Sequence, residues 1–214
     1  EISAMSGRDY DKALLRLISL SLDNDNLSLA LDYGREAQTR YFQEAAGATN
    51  DSTRSSAMSG GLSLATSLNQ VAEQAGRMAL RAGALNVTDQ QNVADARAAA
   101  RDLILGNGNQ LGVANLADAQ LSDSSRLTYL NQAVLVLAKA RYYDEAVALT
   151  EKDGLSNNDR NLMLQSIATA MTGENDFAKG AIAVRDTDGD GRPDFFNLGV
   201  DAEDIAASAL QLDN

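Results

Sequence analysis

Apolar residues recur at intervals of three and four along most of the chain, from Asp9 to about Arg185. Side chains with this spacing lie on one face of an α-helix, and no long stretch shows the alternation that is typical of a half-buried strand. The spacing is clearest in three groups: Leu14, Leu15, Ile18 and Leu22; Val71, Ala75 and Met78; and Leu130, Ala133, Val134 and Leu137. The pattern predicts an all-α chain.

Polar and glycine-rich segments interrupt this pattern and predict where the helices end. These segments lie at 23–26, 47–56, 83–89, 106–109 and 153–154. Their Asp, Asn, Ser and Gly residues favour turns, because they hydrogen-bond to their own backbone or accept unusual backbone angles. Thr88-Asp89 and Ser122-Asp123-Ser124 are predicted to cap the helices that follow, since their side-chain oxygens can accept from the free N–H groups of a first turn.

The second half of the chain contains a repeat with a period of 34 residues. The repeat relates six pairs of residues: Leu130 and Leu164, Ala133 and Ile167, Val134 and Ala168, Leu137 and Met171, Tyr143 and Phe177, and Ala146 and Gly180. Each unit is predicted to be a helix, a polar break (140–142 or 173–175) and a second helix that opens with an aromatic residue. The aromatic ring would fill the angle between the two helices. We therefore expect the large apolar residues of both units to form one continuous core.

The stretch Lys139-Ala140-Arg141-Tyr142-Tyr143-Asp144-Glu145-Ala146 resembles the tetratricopeptide repeat family of helical hairpins. The resemblance extends over residues 124–184, with a weaker echo at 4–22. The glycine of the family's first helix is replaced by Val134 and Ala168, and neither unit ends in proline. The resemblance implies degenerate hairpins stacked as in an α-solenoid, with a concave surface that can receive a peptide or a partner helix. An irregular helical bundle is the alternative architecture.

The composition limits the chemistry that the chain can support. There is no cysteine and no histidine, which excludes disulfides, thiolate nucleophiles, imidazole catalysis and the usual zinc sites. A bound metal would therefore have oxygen ligands, which calcium and magnesium prefer. The formal net charge of -12 disfavours binding to nucleic acid, and no apolar stretch reaches the length that a membrane span requires.

The acidic residues are most concentrated near the C-terminus, where residues 186–197 read Asp-Thr-Asp-Gly-Asp-Gly-Arg-Pro-Asp-Phe-Phe-Asn. Aspartates at the first, third and fifth positions place three carboxylates around one point, and these repel one another unless a cation is present. Glycine at the sixth position permits the sharp turn that brings the seventh carbonyl inward. The predicted ligands are Asp186, Asp188, Asp190, the backbone carbonyl of Arg192, and Asp194 directly or through water.

The segment Asp-x-Asp-Gly-Asp-Gly-x-Pro-Asp at 186–194 resembles the thrombospondin type 3-like calcium-binding repeats of secreted and surface bacterial proteins. The resemblance implies that acids further along the chain complete the coordination, and Asp201, Glu203 and Asp204 follow the loop. At the twelfth position, where an EF-hand has a bidentate glutamate, this loop has Asn197. We therefore expect calcium as the cofactor, with a dissociation constant on the order of 10⁻⁵ to 10⁻³ M.

These features predict an all-helical domain at 1–185 and an acidic calcium-binding segment at 186–214. The predicted function is a non-enzymatic, calcium-binding interaction or scaffold module with a protein or peptide partner. We expect it to belong to an exported bacterial protein whose signal peptide has been removed, located in the periplasm, at the cell surface or outside the cell. The alternative is a structural spacer in which calcium rigidifies the junction with an acidic stalk. A carboxylate- or calcium-dependent enzyme is the least favoured hypothesis.

Overall fold

The chain is helical throughout the part that the structure describes. The computed structural model describes the backbone of residues 7–108, 110–120 and 123–181, and the side chains of residues 9–108, 110–118 and 125–171. Within these ranges there are eight helices and no strand: α1 Gly7–Asp23, α2 Leu27–Gly47, α3 Asp51–Ala82, α4 Val87–Leu105, α5 Val113–Gln120, α6 Asp123–Lys139, α7 Tyr143–Thr150 and α8 Asn157–Ala181. The all-α prediction is confirmed.

Asparagine side chains begin three consecutive helices. Asn26, Asn50 and Asn86 precede α2, α3 and α4, and each side-chain oxygen accepts from the backbone N–H three residues later at 2.8–3.0 Å. Such a cap satisfies a donor that the helix itself cannot pair. The predicted cap at Thr88-Asp89 is wrong, because Asn86 lies ahead of both residues and the helix already begins at Val87. Ser122, the residue before α6, lies outside the described residues.

Most predicted helix ends are confirmed. Helices end or begin within, or directly beside, the predicted segments at 23–26, 83–89, 106–109 and 140–142, and the segment at 153–154 lies between the end of α7 and the start of α8. The predicted segment at 47–56 is shorter than expected, because the cap at Asn50 lets α3 begin at Asp51. The predicted break at 173–175 is wrong, since α8 continues without interruption to Ala181. One glycine inside a helix, here Gly173, costs only about 1 kcal/mol, which tertiary contacts can override.

Helices α3 and α6 lie side by side and run in the same direction. The hydroxyl groups of Ser59 and Tyr129 are 3.1 Å apart. Further along both helices, the buried side-chain amide of Asn69 donates to the backbone carbonyl of Val136 at 3.0 Å. Two contacts in the same sequence order fix both the direction and the register of the pair.

Helix α8 lies on the other side of α6, again in the same direction. Leu127 of α6 shares a groove with Asp159 and Met163 near the start of α8. Further along, the Ser166 hydroxyl donates to the Asn131 side chain at 3.4 Å. Helices α3, α6 and α8 therefore form one layer of parallel helices, with α6 in the middle.

The other helices pack around this layer and leave one of its faces exposed. Helix α2 packs against α1, α3 and α4, helix α5 lies among α3, α4 and α6, and helix α7 contacts α6 and α8. Ion pairs join several of these helices at their surfaces: Asp11 to Arg40, Arg35 to Asp95, and Arg101 to Glu145. The continuous apolar core lies between the layer and these helices.

A glycine lets α2 and α3 approach closely. A Cβ atom at Gly61 of α3 would lie 2.6 Å from the Cε2 atom of Tyr41 in α2. The Tyr41 side chain is buried, its hydroxyl donates to the Leu111 carbonyl at 2.7 Å, and burial raises its pKa. Because the Tyr41 ring is buried and its hydroxyl is hydrogen-bonded, the ring cannot move aside for a larger residue at position 61.

The residues expected to form the core of the two repeat units are buried to different extents. Leu130 and Leu137 are fully buried, and Tyr143, Leu164 and Met171 are partly buried and pack against the core. These five residues therefore lie in or against one core, but the second of the two hairpins that the prediction assumed is absent, because α8 is unbroken. Phe177 lies outside the residues whose side chains the structure describes.

Replacing adjacent glycines in α3 should have opposite effects. Gly61→Ala should lower the free energy of unfolding by about 1–2 kcal/mol, since overpacking against Tyr41 outweighs the gain in helix propensity. Gly60→Ala should raise it by about 0.5–1 kcal/mol, because Gly60 is exposed and a Cβ there meets nothing within 4 Å. Urea denaturation of both variants measures the difference. Equal effects of the two substitutions would contradict the close approach of α2 and α3.

The buried amide of Asn69 should also contribute to stability. Asn69→Ala should cost about 1–2 kcal/mol, because it removes the hydrogen bond to Val136 and leaves a small cavity. The carbonyl keeps its helical partner, the N–H of Ala140 at 3.0 Å, so the loss stays moderate. Gln70→Ala, at the exposed neighbouring position, is the matched control and should change stability by less than about 0.5 kcal/mol. A control that loses as much as Asn69→Ala would mean that the α3–α6 hydrogen bond has no special role.

Candidate functional site

The predicted calcium ligands lie outside the described residues. They are Asp186, Asp188, Asp190, Arg192, Asp194, Asp201 and Asp204, and Glu203 and Asn197 lie in the same segment. Among the residues that the structure describes, no group of three or more acidic side chains is close enough to hold a metal ion. The calcium site therefore remains a prediction from the sequence motif.

Many carboxylates of the described helices take part in ion pairs between helices. Asp118 shows the pattern: it accepts from Arg126 at 2.9 Å and also pairs with Lys152, so it joins the end of α5 to α6 and to the residues after α7. Arg126 also donates to the Asp153 carbonyl at 2.8 Å. Such partly exposed pairs orient helices and contribute little stability each.

Asp25 holds the turn between α1 and α2 against α3. It has a positive φ of 56°, and its carboxylate accepts from Arg81 at 2.7 Å and from Gln74. The hydrogen bond from Arg81, and after it the one from Gln74, lowers the pKa of Asp25. The carboxylate of Asp25 therefore joins this turn to α3 through Arg81 and Gln74.

A different feature of the described helices is suited to binding: an exposed surface without charge. Residues 55–72 of α3, 127–138 of α6 and 161–171 of α8 contain no Asp, Glu, Lys or Arg, although 22% of the chain is charged. If charged residues were spread evenly along the chain, about a fifth of these positions would carry a charge. The three stretches belong to the three parallel helices of one layer, and the contacts between the helices hold them at the same level.

The exposed side of these stretches forms a surface that we call the neutral face. Its defining residues are Ser59, Ser63, Thr66, Asn131, Gln132, Leu135 and Leu162, all of them exposed. The exposed side chains of α6 lie between two grooves. One groove is shared with α3 and the other with α8, and Gln132 lines both. Leu135 and Leu162 are 36% and 49% exposed, which places apolar surface beside the polar amide and hydroxyl groups.

One acidic residue lines a groove of the neutral face, and it has a structural role. Asp159 lies in the first turn of α8, and its carboxylate accepts from the Ser156 hydroxyl at 2.6 Å and from the Ser156 backbone N–H at 3.2 Å. The Ser156 hydroxyl in turn accepts from the Asp159 N–H at 3.2 Å. These bonds form a reciprocal cap at the start of the helix. The charge of Asp159 therefore lies at the start of α8, at the edge of the neutral face.

The neutral face was not predicted from the sequence. The available signal was the absence of charge from 55–72, 127–138 and 161–171, which can be read directly from the sequence. Taken singly, an uncharged stretch of helix indicates only burial. The surface becomes apparent when the parallel packing of α3, α6 and α8 brings the exposed positions of all three stretches together.

Comparisons with known proteins found no match for this chain. No family model, no curated protein and no solved structure matches the chain. Within the described ranges, none of the helices combines the length and the apolar character that crossing a membrane requires.

Proposed function

We propose that this chain is a non-enzymatic, calcium-binding interaction module, in which the acidic C-terminal segment binds calcium and the helices present a surface to a protein partner. The observation that carries the calcium proposal is the aspartate spacing of the segment 186–194. Three carboxylates at alternate positions, followed by glycine and a further aspartate, form the typical start of an oxygen-ligand loop for calcium.

The charge distribution supports a cation at this place. From Asp186 onward the chain carries seven aspartates and one glutamate against one arginine. Asp186, Asp188 and Asp190 would provide carboxylate oxygens, Arg192 its carbonyl, and Asp194 a ligand directly or through water. Asp201 or Asp204 would complete the coordination. With neither histidine nor cysteine in the chain, this oxygen-only set suits calcium better than a transition metal.

The order of the last helices supports a repeat-like, tetratricopeptide-like arrangement as the finer description of the fold. Helices α6 and α8 are parallel neighbours, and the contact between Asn131 and Ser166 spans 35 residues, close to the period of the sequence repeat. Helix α7 follows α6 after a short turn and contacts both α6 and α8, as the second helix of a hairpin does. The uninterrupted α8 is the departure from the family pattern, so any second unit is incomplete.

The neutral face favours an interaction module over the structural spacer. A spacer needs no uncharged surface. Exposed apolar and amide side chains on an otherwise acidic protein are instead suited to binding a partner. A weak calcium site fits an exported bacterial protein, because calcium outside the cytosol is abundant enough to fill it. The proposed location is accordingly the periplasm, the cell surface or the medium.

Calcium titration by isothermal calorimetry tests the proposed site. The native chain should bind calcium with a dissociation constant on the order of 10⁻⁵ to 10⁻³ M. Asp188→Ala removes one of three central carboxylates and should weaken binding about tenfold or more, since affinity follows the number of charged ligands. Thr187→Ala, between two predicted ligands, is the matched control and should bind as the native chain does. Magnesium should compete poorly, because it demands a smaller octahedral site.

Thermal unfolding provides a second measurement of the same site. At a calcium concentration about a hundred times the dissociation constant, the folded form should gain about 2.7 kcal/mol if the metal binds only to it. Absence of heat from the native chain, or equal heats from the native chain and Asp188→Ala, would contradict the proposal.

A further inference from the structure

The loop between α4 and α5 is closed at its base. A Cβ atom at Gly112, the last residue before α5, would lie 2.3 Å from the backbone nitrogen of Gly106, the residue after α4. The Asn115 side chain, in the first turn of α5, donates to the Leu105 carbonyl at 2.9 Å. The two ends of the loop therefore lie against each other, and residues 107, 108 and 110 are exposed between them.

Asn107 and Gly108 lie in the exposed part of this loop. They form the one Asn-Gly pair in the sequence. The Gly108 N–H donates to the Gly106 carbonyl at 2.7 Å, which closes a three-residue turn centred on Asn107. Gly108 has a φ of 71°, and a Cβ atom there would meet nothing within 4 Å. The backbone nitrogen of Gly108 is therefore open to its surroundings, and water competes for its hydrogen bond.

We propose that Asn107 is a site of spontaneous covalent modification, at which the side-chain amide is hydrolysed to a carboxylate through a cyclic imide. The reaction requires the backbone nitrogen of the next residue to reach the side-chain carbonyl carbon. Glycine favours this approach, because it has no Cβ atom to obstruct it and leaves the backbone free to adopt the required angles. Water from the solvent is the other reactant. The inference goes beyond the proposed function and does not depend on calcium.

The modification has two steps and changes no oxidation state. In the first step, the Gly108 nitrogen bonds to the Cγ atom of Asn107, and the Cγ–Nδ2 bond breaks. The proton that the Gly108 nitrogen gives up leaves with Nδ2 as ammonia, and a five-membered imide ring remains. In the second step, water adds to one of the two ring carbonyls and a ring C–N bond breaks. The product is an aspartate joined to Gly108 through its main-chain carboxyl group or, as isoaspartate, through its side-chain carboxyl group.

Other asparagines lie in settings that oppose the same reaction. Asn26, Asn50 and Asn86 have their side-chain oxygens in helix caps. Asn131 lies within α6, where the helical hydrogen bond holds the N–H of the next residue and the backbone is fixed. We therefore expect the chemistry in the α4–α5 loop rather than at exposed asparagines in general.

The modification should lower the stability of the chain. A carboxylate at position 107 lies directly beyond the C-terminal end of α4, where the helix dipole disfavours negative charge. Isoaspartate also adds one carbon atom to the backbone of the loop, whose far end is held by the hydrogen bond from Tyr41 to the Leu111 carbonyl at 2.7 Å. Asn107→Asp reproduces the effect of charge alone, and it should lower the midpoint of urea unfolding without changing the helix content in circular dichroism.

Ageing of the full chain in mildly alkaline buffer, well below the temperature of unfolding, tests the proposal. Ion-exchange chromatography should show acidic species that accumulate with time, and peptide mapping by mass spectrometry should place the new carboxylate at position 107. Because exposed loops open at little cost in free energy, the rate in the native chain should lie within about tenfold of the rate in guanidinium chloride. Asn107→Gln should remove these species, since the longer side chain would have to close a less favourable six-membered ring.

Matched variants separate the effect of the loop from that of the residue pair. Gln132→Gly gives Asn131 the same following residue as Asn107, but on the exposed side of α6. Asn131 in this variant should react at least about tenfold more slowly than Asn107 in the same molecule, because the helix holds the attacking nitrogen. Circular dichroism shows whether the variant keeps its helices. If it does not, Leu162→Gly provides the same comparison at Asn161 of α8.

Two results would overturn the proposal. One is a native chain in which Asn107 stays intact while the unfolded chain reacts, which would mean that the turn at Gly106 protects it. The other is equal reaction at Asn131 and Asn107 in the folded Gln132→Gly variant, which would mean that the residue pair alone decides and that the loop has no role. Calcium binding is measured separately, so failure here leaves the test of the segment 186–197 unaffected.

Discussion

The packing of α3 against its neighbours is the contact on which the rest of this structure depends. This helix of 32 residues contacts α1, α2, α4, α5 and α6. It can do so because small residues lie where other helices cross it: Gly61 admits the ring of Tyr41, and Ala57 and Ala65 are buried nearby. On the side facing α6, Asn69 anchors the register through one buried hydrogen bond. Without this register, the uncharged stretches of α3, α6 and α8 would not lie at the same level.

The two proposed binding regions differ in charge: one is strongly acidic and the other is nearly uncharged. The segment from Asp186 onward concentrates carboxylates, whereas the layer of α3, α6 and α8 exposes amide, hydroxyl and leucine side chains and almost no charge. A cation and a protein partner require these opposite environments.

Local sequence patterns predicted the helices well and the surface poorly. Turn-forming residues at 23–26 and 83–89 marked real helix ends, because turn chemistry depends on a few adjacent residues, and the polar break of the repeat at 140–142 marked another. The break expected at 173–175 failed because the glycine penalty there is small enough for a long helix to continue. The neutral face could not be predicted, since it depends on the tertiary register of helices far apart in sequence. The calcium loop is a local motif, so the sequence could propose it in full, although the loop lies outside the described residues.

The central claim is that this chain binds calcium through the loop at 186–197 while its helices remain as they are. A calcium titration followed by amide resonances in two-dimensional NMR tests it most directly. We expect the amide resonances of Gly189, Gly191 and the residues around them to shift progressively to saturation, while those of 55–72 and 127–138 stay in place. Resonances that do not respond to calcium, or that shift first in the helices, would contradict it.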